Sequence, residues 1–97
     1  MAQAQQMQME IQAKQEELAA REYEGSAGGG VVKVNVRGSG ELLSVWFEPS
    51  VLDPDDPELV GDLVVAAVNQ ALGSASQDAA MEMGGLAGGA DLGGMLG

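Results

Sequence analysis

Hydrophobic and polar positions change their period twice along this chain. Residues 2 to about 21 contain no Gly or Pro and are dominated by Ala, Gln, Glu, Met and Leu. Such a run predicts a helix of roughly 20 residues, about 30 Å long. Its apolar stripe is thin: Ala4, Met7, Ile11 and Leu18 follow a heptad-like seam, with Lys14 and Arg21 at the remaining positions. A seam that narrow packs against one neighbour. On a domain this small a partner chain is the expected neighbour, and the chain's own sheet is the alternative.

From Glu22 to Glu48 the period falls to two. Val32, Val34 and Val36 alternate with Lys33, Asn35 and Arg37, and Leu43, Val45 and Phe47 alternate with Leu42, Ser44, Trp46 and Glu48. A slip of one residue would turn every side chain to the other face, so the register must set the Val residues beside Leu43, Val45 and Phe47. A two-residue turn at Ser39-Gly40 does this, predicting Val36 opposite Leu43, Val34 opposite Val45 and Val32 opposite Phe47. The other face then carries Lys33 beside Trp46, with Arg37 near the turn. Ahead of this hairpin, Glu22 to Ser26 reads as a short strand, and Gly28-Gly29-Gly30 supplies the permissive backbone that turns it into Val31.

An acidic connection follows Pro49. Asp56-Pro57-Glu58 then has the composition of a helix start, with Asp as N-cap, Pro at the first helical position and an acid in the first turn. Leu59, Val60, Leu63, Val64, Ala67, Val68, Ala71 and Leu72 make a helical face broad enough to cover a sheet. Gly73 weakens this helix, while Ala75, Ala79 and Met83 allow it to resume. Gly84 to Gly97 holds seven of the fifteen glycines with isolated Leu and Met. Ordering it would cost more backbone entropy than its contacts return, so a disordered tail over residues 84–97 is expected.

Three stretches, EGSAGGGVVKVNV, EPSVLDPDDPE and DLVVAAVNQA, lie in the continuous block from Glu24 to Leu72, and together they resemble the YbaB/EbfC family. Gly25, Gly29, Val32, Val34, Pro49, Asp62, Leu63, Ala66, Ala67, Asn69 and Ala71 match positions that characterise the family pattern. The Gln/Met-rich opening helix and the Gly/Leu/Met tail fit as flanks. The resemblance implies an α+β fold, helix, three-stranded antiparallel sheet and helix, over residues 1–83. It also implies that two chains join through their sheets in a tweezer-like homodimer. The function implied is that of a bacterial nucleoid-associated protein that binds duplex DNA with little sequence specificity, shapes the nucleoid and affects gene expression.

Composition narrows the chemistry. Cysteine and histidine are both absent, which removes disulfides, thiolate zinc sites, Cys nucleophiles, Ser-His pairs and the usual proton carrier near neutral pH. No enzyme and no cofactor is expected. Asp53, Asp55, Asp56 and Glu58 lack the turn glycine and late bidentate Glu of a calcium loop, and capping already accounts for two of them, so no metal site is expected. Gly28 to Gly30 leads into a strand with no Lys-Ser/Thr opening a helix, which reads as a turn and not a phosphate loop. The longest fully apolar run is Leu63 to Val68, six residues against the ~20 that span a bilayer, and the N-terminus lacks the pattern of a signal peptide. A soluble cytoplasmic protein without membrane contact is expected.

Charge divides the candidate functions. The net charge is −11: residues 1–52 hold all four basic groups and seven acidic ones, and residues 53–97 hold eight acidic groups and no basic one. A polyanion must therefore meet the N-terminal half. The candidate DNA contacts are Lys14, Arg21, Lys33 and Arg37, with Trp46 packing on sugar or base. Each has a competing reading. Lys33 can cover Trp46 through a cation-π contact, Arg37 can pair with Glu41 across the turn, and Glu10 and Glu17 stand four residues before Lys14 and Arg21 as helix ion-pair partners. The six methionines, all in the terminal segments, suit adaptable protein contacts. A second function from a different class follows: an acidic dimeric module that recognises a basic recombination or nucleoid protein through its C-terminal half. Deleting residues 84–97 is expected to leave the melting temperature unchanged, and a thermal denaturation scan of the truncated chain checks this.

Overall fold

The computed structural model describes residues 2–96, with side chains described over residues 3–84. The elements run α1 (Ala2–Ala20), β1 (Glu22–Ala27), β2 (Val32–Arg37), β3 (Leu42–Phe47), a short 3-10 turn (Pro49–Val51) and α2 (Pro57–Leu96). The strands form one antiparallel sheet in the order β1-β2-β3. The fold is thus the expected α+β arrangement of helix, three-stranded sheet and helix. Of the tail expected to be disordered, residues 85–97 lie outside the residues whose side chains are described.

The core is a contact between the middle strand and a stripe of alanines. Val32, Val34 and Val36 are at most 2% exposed, and Ala67 and Ala71 of α2 are fully buried against them. Burying a valine stabilises by about 1.5–3 kcal/mol, so these three positions dominate the small core. Small residues on both sides let the backbones come close. A Cβ built on Gly25 of β1 would stand 2.2 Å from the carbonyl oxygen of Ala67 and 2.8 Å from the amide nitrogen of Ala71. Helix α2 lies over β1 and β2, and Leu43, Val45 and Phe47 of the edge strand β3 stay only half-buried on the same face. The start of α2 is as expected, with Leu59 N–H donating to Asp56 Oδ1 at 3.3 Å, and the helix continues through Gly73 without a break. Pro57 to Gly84 reaches a mean hydropathy of 1.2, enough by length and composition to cross a membrane, but here its alanine stripe is used against the sheet.

The first hairpin turns on Gly28, Gly29 and Gly30, all three at positive φ. The second departs from its expected form. Val32 stands opposite Phe47 and Val34 opposite Val45 as predicted, but a bulge between Asn35 and Val36 sets Val36 opposite Leu42 instead of Leu43. The connection is Gly38 to Glu41, longer than two residues, with Gly40 at φ 99°. Its cause is tertiary. Ser39 N–H donates to Ala19 O at 3.1 Å, satisfying a carbonyl that the end of α1 leaves unpaired, and Gly38 N–H to Arg21 O, just past the helix, at 2.9 Å. A Cβ on Gly38 would meet Leu18 O at 1.9 Å. The turn is therefore shaped to receive a helix end as well as to join two strands.

The seam of α1 is split. Leu18 is buried, Lys14 and Arg21 are half-buried and paired with acids of α2, Ile11 is half-buried, and Ala4 and Met7 are exposed. Its neighbour within the chain is therefore α2, where the sequence reading offered a partner chain or the chain's own sheet.

Two glycine substitutions with opposite signs test this packing. Gly25→Ala is expected to force α2 off the sheet and lower stability by about 1–3 kcal/mol or more. Gly73→Ala, in a helix with open space around it, is expected to raise stability by about 0.5–1 kcal/mol. Urea titration of both variants measures the two changes on one scale.

Candidate nucleic-acid interface

The antiparallel register decides which polar residues share the sheet face turned away from α2. Ser26 stands opposite Lys33 and Lys33 opposite Trp46, while Glu24 stands opposite Asn35 and Asn35 opposite Ser44. Period-two alternation sends these side chains to the side opposite Val32, Val34 and Val36. Trp46 is 51% exposed, and Lys33 Nζ lies 5.7 Å from the centre of its ring, within cation-π range. Glu24, Lys33, Asn35, Ser44 and Trp46 line a shallow depression of about 290 Å³. Arg37 is four residues from Lys33 along β2, so about 13 Å separates their backbone positions. Its Nε is 2.9 Å from Glu41 Oε1 but off the line a hydrogen bond requires. Glu22, opposite Arg37, accepts a hydrogen bond from Asn35 Nδ2. Both competing readings of Lys33 and Arg37 are thus realised in the free chain, and Glu22 and Glu24 share the face with them.

Lys14 and Arg21 form a second group, between the helices. Arg21 Nη1 lies 2.8 Å from Asp78 Oδ2 and 2.5 Å from Glu82 Oε2, and its Nη2 lies 2.7 Å from Glu17 Oε1. Lys14 Nζ lies 3.2 Å from Glu17 Oε2 and 3.9 Å from Glu82 Oε1. Its helix partner is thus Glu17 and not Glu10. The Tyr23 hydroxyl donates to Asp78 Oδ2 at 2.5 Å. The Tyr23 hydrogen bond, followed by Arg21, holds the Asp78 carboxyl below its ordinary range. Lys14 and then Arg21 do the same for Glu17. Asp78 and Glu82 hold the Arg21 guanidinium in its charged form, and burial raises the Tyr23 phenol, with Asp78 adding to the effect.

Sequence reasoning missed Asp78, Glu82 and Tyr23 as members of this cluster. A signal was present. Asp78 and Glu82 are four apart on one face of α2, and Arg21, just past the end of α1, stands seven residues, about two helical turns, after Lys14. Only the antiparallel docking of the helices makes those faces meet. The acidic connection is committed to local structure: Asp53 Oδ1 accepts from Asp55 N–H at 2.9 Å, and Asp56 caps α2.

Fold and surface together describe a small α+β protein whose candidate contact residues lie on a sheet face and beside a helix pair. Residues 1–90 match the model of the YbaB/EbfC DNA-binding family, and the chain belongs to that family. It is 50% identical over 96 residues to a nucleoid-associated protein of Clostridium novyi, covering 99% of this chain and 84% of that one. It is 46% identical over 97 residues to a nucleoid-associated protein of Rhodococcus opacus, covering 100% of this chain and 86% of that one. Its fold is similar to the crystal structure of an uncharacterized protein from Helicobacter pylori, with a TM-score of 0.65 at 23% identity over 79% of this chain and 81% of that one. This is a nucleoid-associated DNA-binding family and not a family of enzymes.

The depressed carboxylates set a pH dependence. Stability from Glu17 and Asp78 is fully present above their unfolded values near about pH 4, and is lost as pH falls through their lower folded values. The melting temperature is expected to fall mainly in that acid range, and less steeply in Asp78→Asn. Thermal melts followed by circular dichroism from neutral to acid pH check both slopes.

Proposed function

We propose that this protein pairs with a second copy of itself and binds duplex DNA without catalysis and with little sequence specificity, in the cytoplasm at the nucleoid. Binding of this kind would shape the nucleoid and affect gene expression. One observation carries the reading: a chain of a DNA-binding family turns Lys33, Arg37 and an exposed Trp46 outward on the sheet face opposite its helix. Ammonium and guanidinium groups contact phosphate, and the indole offers a flat surface for sugar or base. Lys14 and Arg21 are the remaining candidate contacts. Low specificity follows from so few donors, and the relatives' name, nucleoid-associated protein, agrees with a site on the nucleoid. Pairing is supported by the half-exposed Leu43, Val45 and Phe47 on the edge strand and by a core too small to be comfortable alone.

A second reading rests on charge. Residues 53–97 carry eight acidic groups and no basic one, and Lys14, Arg21 and Arg37 are already set against carboxylates of the same chain. Such a surface speeds encounter with a basic protein of the recombination or nucleoid machinery.

A mobility-shift titration on unrelated duplexes at low and moderate salt separates the two. DNA affinity is expected to be weak and steeply salt-dependent. Lys33 and Arg37 from both chains of a dimer contribute a slope of log K against log salt of about −4 at most. Lys33→Ala with Arg37→Ala is expected to weaken binding on every duplex while keeping the fold, since neither residue is in the buried valine set. No binding by the parent at low salt would leave the acidic module as the better account. Sedimentation at micromolar concentration is expected to show a dimer, and a monodisperse folded monomer would remove the pairing.

A further inference from the structure

We propose that Asp78 and Glu82 occupy the phosphate seats of Lys14 and Arg21, so that these two cations reach DNA only after α2 gives them up. The proposal rests on the DNA-binding reading above and deepens it.

The geometry carries the argument. A guanidinium presents its N–H donors as a planar fork that suits carboxylate and phosphate alike. In Arg21 the Nη1 of that fork is directed to Asp78 and Glu82 at 2.8 and 2.5 Å, and Nη2 to Glu17 at 2.7 Å. Lys14 shares Glu17 and Glu82. Both cations therefore already hold anionic oxygens. The side chains of Lys14, Arg21, Asp78 and Glu82 are a quarter to a third exposed, so a phosphate can approach without unfolding the helix pair. Ion pairs in such wet surroundings are individually weak, which makes exchange for a polyanion feasible.

The two acids of α2 are held unequally. Asp78 is also gripped by the Tyr23 hydroxyl, whereas the hydrogen bonds and ion pairs of Glu82 among the described residues go only to Arg21 and Lys14. Glu82 is the carboxylate that leaves first, and Asp78 keeps Arg21 aimed while it does. On this account the weak affinity expected of so acidic a chain comes from internal competition as well as from net charge.

The test is a fluorescence-anisotropy titration of a labelled duplex with the full-length protein at two salt concentrations. It compares the parent, Asp78→Asn/Glu82→Gln, and the charge-matched control Asp55→Asn/Glu58→Gln, whose acids are exposed and outside the cluster. Freeing Lys14 and Arg21 is expected to steepen the salt slope by up to about 1.8 for each chain touching the duplex, because each phosphate neutralised adds about 0.9. The gain over the parent then grows about tenfold for a fourfold dilution of salt. The control is expected to gain little and keep the parent slope. Adding Lys14→Ala and Arg21→Ala to the first variant is expected to erase the gain, with circular dichroism verifying the fold. A gain no larger than the control's overturns the proposal while leaving DNA binding intact. So does a lower melting temperature with unchanged affinity, which reduces the cluster to a helix staple. Absence of binding by every variant at low salt overturns both the proposal and the DNA reading.

Discussion

Everything in this fold depends on how closely α2 can lie on the sheet. Gly25, Ala67 and Ala71 remove the side chains that would hold the two backbones apart, and the three valines of β2 fill the contact. Dispersion and the hydrophobic effect reward such an approach only while it stays tight, because a gap of even half an ångström forfeits much of the attraction. The same placement has two further effects. It puts the helix over β1 and β2, leaving β3 as an edge with a half-covered apolar face, and it carries Asp78 to the level of Tyr23 and Arg21. Packing, the half-covered edge strand and the electrostatics of the helix pair thus come from one contact made by small residues.

Electrostatics then determine what the surface can offer a polyanion. A chain with four cations and fifteen carboxylates cannot hold phosphate by net attraction, so binding must be local. Here the local supply is divided. Lys33 and Trp46 stand together on the outer sheet face with Arg37 near the turn, and Lys14 and Arg21 lie in the groove between the helices among three carboxylates. The protein departs from a simple basic surface because its acids are placed next to its bases. Surface pairs of this sort add little to stability in water, but they control which charges are free.

The split hairpin shows how far local rules reach. Alternation of apolar residues was sufficient to place Val32 opposite Phe47 and Val34 opposite Val45, since a wrong register would expose the core. It failed one pair later, at Val36, because the turn beyond must also satisfy the carbonyls at the end of α1. Gly38 was legible as a turn residue. Its need for a missing side chain against Leu18 O depends on a helix that lies eighteen or more residues earlier in the chain, and no local pattern contains that.

The sequence by itself determined the element order, the valine core, the glycine turns, the capped start of α2 and the outward face carrying Lys33, Arg37 and Trp46. These follow from backbone propensity and from a period of two or 3.6, which are properties of neighbours in the chain. Only the tertiary structure decided that the seam of α1 would meet α2, that Lys14 would take Glu17 and Glu82 instead of Glu10, and that Arg21 would be shared by Asp78, Glu82 and Glu17. The physical reason is range. Hydrophobic periodicity is written within a few residues, whereas a charge selects its partner by distance in space, and that distance exists only once the helices have docked.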